Sequence, residues 1–88
     1  MIDVEKIVVE ICRRKRDEAS GRELIQWTRL SRERLVTVLE ENRDRIFSLT
    51  PDPEDPSGYR VNLVCGPDLA AIIAKYAEIL GYCAERCQ

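Results

Sequence analysis

Apolar residues recur at helical spacing from the start of the chain, where Val4, Ile7, Val8, Ile11 and Cys12 fall on one stripe. This spacing predicts a helix over residues 3–15, with Asp3 able to cap its start and the run RRKR at 13–16 suited to the negative end of its dipole. A second helix is expected to begin at Gly21, because Ser20 and Glu23 stand three apart and can satisfy each other's backbone donors in a capping box. Leu24, Ile25, Trp27 and Leu30 supply its apolar side, and Ser31 offers a fresh cap just beyond it. The third helix then runs through RERLVTVLEENRDRIF, with Leu35, Val38, Leu39, Asn42 and Ile46 turned inward.

After the third helix the period changes from helix to strand. The short runs IFSL and YRVNLV read as the two strands of a hairpin, with Phe47 and Leu49 on one side and Tyr59, Val61 and Leu63 on one side of the partner. Between them lies an acidic, proline-rich tip, Pro51 to Pro56, followed by the turn residues Ser57 and Gly58. The three prolines suggest a tip held extended and away from strand pairing. Gly66, Pro67 and Asp68 then open a last helix over residues 68–87. Its residues form one large apolar stripe, Leu69, Ile72, Ile73, Tyr76, Leu80, Cys83 and Cys87, and one small one, Ala70, Ala74, Ala77, Gly81 and Ala84. The two stripes are about 110° apart around the axis.

That arc is wider than packing on one small domain needs. It points to a homodimer in which the small stripe meets its twofold mate, residues 68–87 acting as a dimerisation helix. The alternative is that the first helix fills the second stripe within the monomer.

Eighty-eight residues, 44% hydrophobic and 34% charged, suit a single domain spanning 1–88 with a modest core. No apolar run approaches the length of a membrane span and the first twelve residues carry acids, so no membrane role and a cytoplasmic location are expected. The four cysteines, Cys12, Cys65, Cys83 and Cys87, form no CxxC pair and there is no histidine, which disfavours a zinc site. Three of them fall on apolar faces and read as small hydrophobes, although Cys83 and Cys87 are open to a link with another element or subunit. With no histidine, no nucleophile beside a base and no glycine-rich phosphate loop, the chain reads as a non-enzyme without cofactors.

Helix, helix, tight turn, helix, hairpin, helix is an order that resembles the winged helix-turn-helix superfamily, mainly α with a small β-hairpin, here with an added C-terminal helix. The stretch GRELIQWTRLSRERLVTVLEENRDRIFSL is similar to the second helix, turn and recognition helix of that superfamily, and FSLTPDPEDPSGYRVNL to its wing. The resemblance implies a transcriptional regulator that binds double-stranded DNA, places its third helix in the major groove and pairs through its last helix.

The residues available for DNA are Ser31, Arg32 and Arg34 in the first turn of the third helix, Arg13, Arg14 and Arg16 of the basic run, and Arg60 on the stem of the hairpin. Arg22 and Arg29 extend a positive rim. Against this, the net charge is -2, and the outward side of the third helix carries Glu33, Thr37, Glu40, Glu41 and Asp44. Carboxylates there would be repelled by phosphates. The competing reading is therefore a protein-interaction module whose acidic third helix and acidic wing meet a basic protein partner.

Overall fold

The structure, a computed structural model, describes residues 1–87. Its elements are α1 (Asp3–Arg13), β1 (Glu18–Ser20), α2 (Gly21–Thr28), α3 (Arg32–Glu41), β2 (Phe47–Pro51), β3 (Tyr59–Leu63), α4 (Pro67–Lys75) and α5 (Gly81–Arg86). The protein is thus a mixed α/β fold of five helices and a small antiparallel sheet. None of these helices is long and apolar enough to cross a membrane.

The capping expectations hold for α2 and α3. Ser20 Oγ accepts the Glu23 amide at 3.1 Å while the Glu23 carboxylate accepts the Ser20 amide at 3.0 Å, and Ser31 Oγ accepts the Arg34 amide at 3.1 Å. The turn between the two helices is three residues long because Arg29 takes the left-handed conformation, φ 61°, and ends α2. Helix α1 is opened differently from the expectation: its first free amide, that of Ile2, is taken by Glu5 at 3.2 Å, while Asp3 serves as a partner for Arg34.

The sheet has three strands, not two, in the order β1-β3-β2. Strand β1 has only three residues and no alternating run long enough to announce it, so nothing local in the sequence distinguishes it from a loop. It exists because β3 offers a free edge, with Ala19 opposite Val61. On the other edge Phe47 pairs with Leu63 and Leu49 with Val61. Phe47, Val61, Leu63 and Ala19 are all buried, so the inward face expected of the hairpin is the one observed. Helices α1, α2 and α3 cover that face through Ile7, Ile11, Leu24, Leu35 and Leu39, each fully buried.

Two helical expectations fail. Helix α3 stops at Glu41, and Asn42 is not an inward member of a longer helix but its terminating residue. The Asn42 carbonyl accepts the amides of Arg45, Ile46 and Phe47, and Asp44 adopts φ 67°, which turns the chain into β2. The last helix is broken: α4 ends at Lys75, Tyr76 to Leu80 form turns, and α5 is a separate short helix.

The break has a covalent reason. Cys65, two residues before α4, is bonded to Cys87 with their Cα atoms 5.4 Å apart, and Cys12 of α1 is bonded to Cys83 of α5. A straight helix over residues 68–87 would put its ends about 30 Å apart at 1.5 Å per residue. Closing the Cys65–Cys87 bond requires the chain to double back, and the turns at 76–80 do so. All four cysteines are therefore cross-links rather than unpaired core residues. Leu80 and Cys83 are fully buried against α1 in consequence.

Candidate functional site

The tip of the hairpin is not held extended and apart from strand pairing: Pro51 pairs with Tyr59 at the end of β2, and the residues after it turn onto the beginning of α2. Asp52 donates its amide to the Gly58 carbonyl at 2.8 Å, and Gly58, at φ 81°, returns the chain to β3. Inside this loop the Asp55 carboxylate accepts both the amide and the hydroxyl of Ser57 at 2.8 Å. Its other oxygen accepts the amide of Arg22 at 3.3 Å, a donor in the first turn of α2 left without an intrahelical partner. A carboxylate at that position also complements the positive end of the helix dipole. The approach is close enough that a Cβ on Gly21 would overlap the Ser57 side chain. The acidity of the loop is thus partly internal. The signal for this docking was Gly21 itself, a residue without a side chain at a helix start that needs no positive φ.

With the loop drawn in, a shallow groove of about 370 Å³ opens between it and the first two turns of α3, lined by Arg32, Glu33, Val36, Pro56 and Ser57. The backbone of Arg22 is tied to the same loop through Asp55, and its side chain is exposed. Of the residues expected to touch DNA, Arg32 lines this groove, and Ser31 precedes it in the chain as the cap of α3. Ser31 is exposed but its hydroxyl is engaged as the cap of α3. Arg32 is exposed and paired with the equally exposed Glu33 at 3.3 Å. The Glu33 carboxyl is held below its ordinary value, first by its own backbone amide and then by Arg32.

The other expected cations are spread over the molecule. Arg34 turns to Asp3 at the start of α1, 2.6 Å away, which lowers the Asp3 pKa and raises that of Arg34. Arg13 and Arg14 both reach Glu10, at the opposite end of that helix, so the structure does not bring them together with Arg34. Arg16 makes two contacts with Glu23, at 2.6 and 3.1 Å, and this pairing, aided by the Ser20 amide, pulls the Glu23 pKa from 4.5 to about 2. Arg14 and Arg16 also lie over the Trp27 ring, 4.1 and 5.3 Å from its centre. Arg60 crosses the sheet to Glu18 at 3.0 Å. Each of the six expected arginines therefore already has a carboxylate partner.

Arg22, Arg29, Arg43 and Arg45 make no ion pair with another described residue. Arg43 instead donates to the Tyr59 hydroxyl at 3.1 Å, and that hydroxyl donates to Glu40 at 2.9 Å, which ties the end of α3 to β3. Glu33, Thr37, Glu40 and Glu41 are all exposed, so the outward side of α3 is acidic as its sequence indicates. Among the described residues no group of three or more histidine, cysteine or acidic side chains converges to hold a metal.

The residues expected at a dimer interface are divided by the break in the last helix. Ala70, Ala74 and Ala77 are exposed along α4 and the following turn, Gly81 is exposed at the start of α5, and Ala84 packs partly into the core. The small stripe is thus not one continuous ridge. Around the turn a groove of about 390 Å³ is lined by Ala74, Lys75, Tyr76, Ala77, Glu78 and Ile79, with Ile79 more than half exposed. No family model, no curated protein and no solved structure matches this chain.

Proposed function

We propose that this chain is a winged-helix domain that binds double-stranded DNA as a small regulator, engaging it with the groove between the start of α3 and the hairpin loop. The observation that carries the reading is topological. A three-helix unit with a three-residue turn between α2 and α3, closed by a β1-β3-β2 sheet, leaves the first turn of α3 exposed beside that groove. In helix-turn-helix proteins this turn is the part that reaches base edges. Arg32, which lines the groove, and Arg22, exposed on the helix to which the loop is tied, are the cations this reading assigns to phosphate. Exposed ion pairs such as Arg32 with Glu33 contribute little, so a phosphate can displace the carboxylate readily. Arg16 is too firmly held by Glu23 to serve, and is better read as structural.

Few cations make for a shallow salt dependence. With about two phosphates neutralised, the logarithm of affinity should fall with the logarithm of salt at a slope of about -2. Fluorescence anisotropy with a labelled duplex tests this: either Arg22→Ala or Arg32→Ala alone should bring the slope to about -1. Undetectable binding at low salt, or binding indifferent to salt, would end the DNA reading.

A second reading is favoured by the exposed row Glu33, Glu40 and Glu41: a protein-interaction module that meets a basic partner. It predicts no duplex binding, together with salt-sensitive binding of a lysine-rich peptide lost in a Glu40→Gln, Glu41→Gln variant. In either case we infer a homodimer formed at the exposed apolar surface around Ile79 and the α4 alanines, tested by sedimentation with and without reductant. A monomer in both would remove it. A cytoplasmic location goes with DNA as ligand, and the two disulfides weigh against it, since such cross-links are rare there.

A further inference from the structure

The two disulfides sit in different chemical settings. Cys12 and Cys83 are 1% and 0% exposed, enclosed between α1 and α5. Cys65 is exposed and Cys87 half-buried at the surface. The second bond also has a cation beside it: the Arg86 guanidinium lies 3.8 Å from Cys65 Sγ and is anchored through its Nε to the Asp17 carboxylate at 3.2 Å. A guanidinium held at a sulfur stabilises the thiolate form of that sulfur.

We propose that Cys65–Cys87 is a thiol–disulfide exchange site for a dithiol, small or protein-borne, while Cys12–Cys83 is a permanent cross-link. A thiolate of the dithiol attacks Cys87 Sγ, the Cys65–Cys87 bond breaks, and Cys65 leaves as a thiolate facing Arg86. The second thiol of the reductant, deprotonated, then attacks its own sulfur in the mixed disulfide and releases the Cys87 thiolate. The dithiol is oxidised to a disulfide, the protein pair takes up the two electrons, and the two protons lost by the dithiol go to the solvent or to the released thiolates. Exchange rates depend on access and on how well the leaving sulfur carries charge, and both favour this pair. Reduction frees the end of α5 from the segment after β3, while Cys83 keeps that helix on α1.

The test is stepwise reduction of the folded, oxidised protein with dithiothreitol, with rapid alkylation and mass mapping of the labelled cysteines and circular dichroism in parallel. The expected result is labelling of Cys65 and Cys87 together, with Cys12 and Cys83 unlabelled and the spectrum retained. An Arg86→Gln variant should undergo this first step on the order of threefold more slowly, the effect of about one unit in leaving-thiol pKa at a sensitivity of about one half. Concerted labelling of all four cysteines, or labelling of Cys12 and Cys83 first, would overturn the proposal. So would labelling of Cys65 and Cys87 only after the fold is lost. An unchanged rate in Arg86→Gln would remove the role of the guanidinium.

Discussion

Removing the Cys12–Cys83 bond, by Cys12→Ala together with Cys83→Ala, should cost the protein much of its stability. The two residues are 71 apart in sequence, and closing a loop of that size in the unfolded chain is worth about 4.4 kcal/mol at 25 °C on the chain-entropy model. The separation of 22 between Cys65 and Cys87 gives about 3.4 kcal/mol on the same model, each link taken alone. Deleting two buried sulfurs adds about 1–2 kcal/mol for the first pair, since both sites are enclosed. With an unfolding entropy of about 2.1 cal/mol/K per residue over 88 residues, a loss of 4.4 kcal/mol lowers Tm by roughly 24 °C. Urea and thermal unfolding of wild type and the two double variants would measure this. The urea m-value should also rise in both variants, because an uncrosslinked unfolded chain exposes more surface. A loss under about 2 kcal/mol for the Cys12/Cys83 variant, or a larger loss for the exposed pair, would refute the reasoning.

Gly21→Ala should destabilise by about 2–3 kcal/mol, because the added methyl displaces Ser57 and with it the loop hydrogen bonds centred on Asp55, whereas Gly81→Ala, with open space at its Cβ, should be neutral or mildly stabilising in the same urea titration. Glu23, its pKa depressed to about 2 by Arg16 and the Ser20 amide, contributes stability that is complete above about pH 4.5 and is lost as pH falls toward 2. The stability gap between wild type and Glu23→Gln should therefore be largest near neutrality, about 1 kcal/mol after screening of this partly exposed pair, and close by pH 2; a gap independent of pH would contradict the assignment.

Most of the helical framework was legible from the chain because its signals are local. The capping box of Ser20 with Glu23, the cap at Ser31 and the alternation of Phe47, Val61 and Leu63 act within a few residues, and each element forms where its own residues place it. The charges of the third helix were also legible, since exposed side chains keep the order that helix geometry imposes. What the sequence could not decide were the outcomes set by distant partners. Cysteine spacing does not reveal connectivity, so the two bonds that fold α5 back against α1 and against Cys65, and thereby break an otherwise continuous helical pattern, were decided only when the chain closed on itself. Strand β1 arose because β3 had an edge to fill, and the acidic loop turned inward because the first turn of α2 had free amides and, at Gly21, no side chain in the way. Local periodicity and capping determined the elements of this protein; tertiary cross-links and unsatisfied backbone groups decided where its chain bends and which of its charges are left to meet a partner.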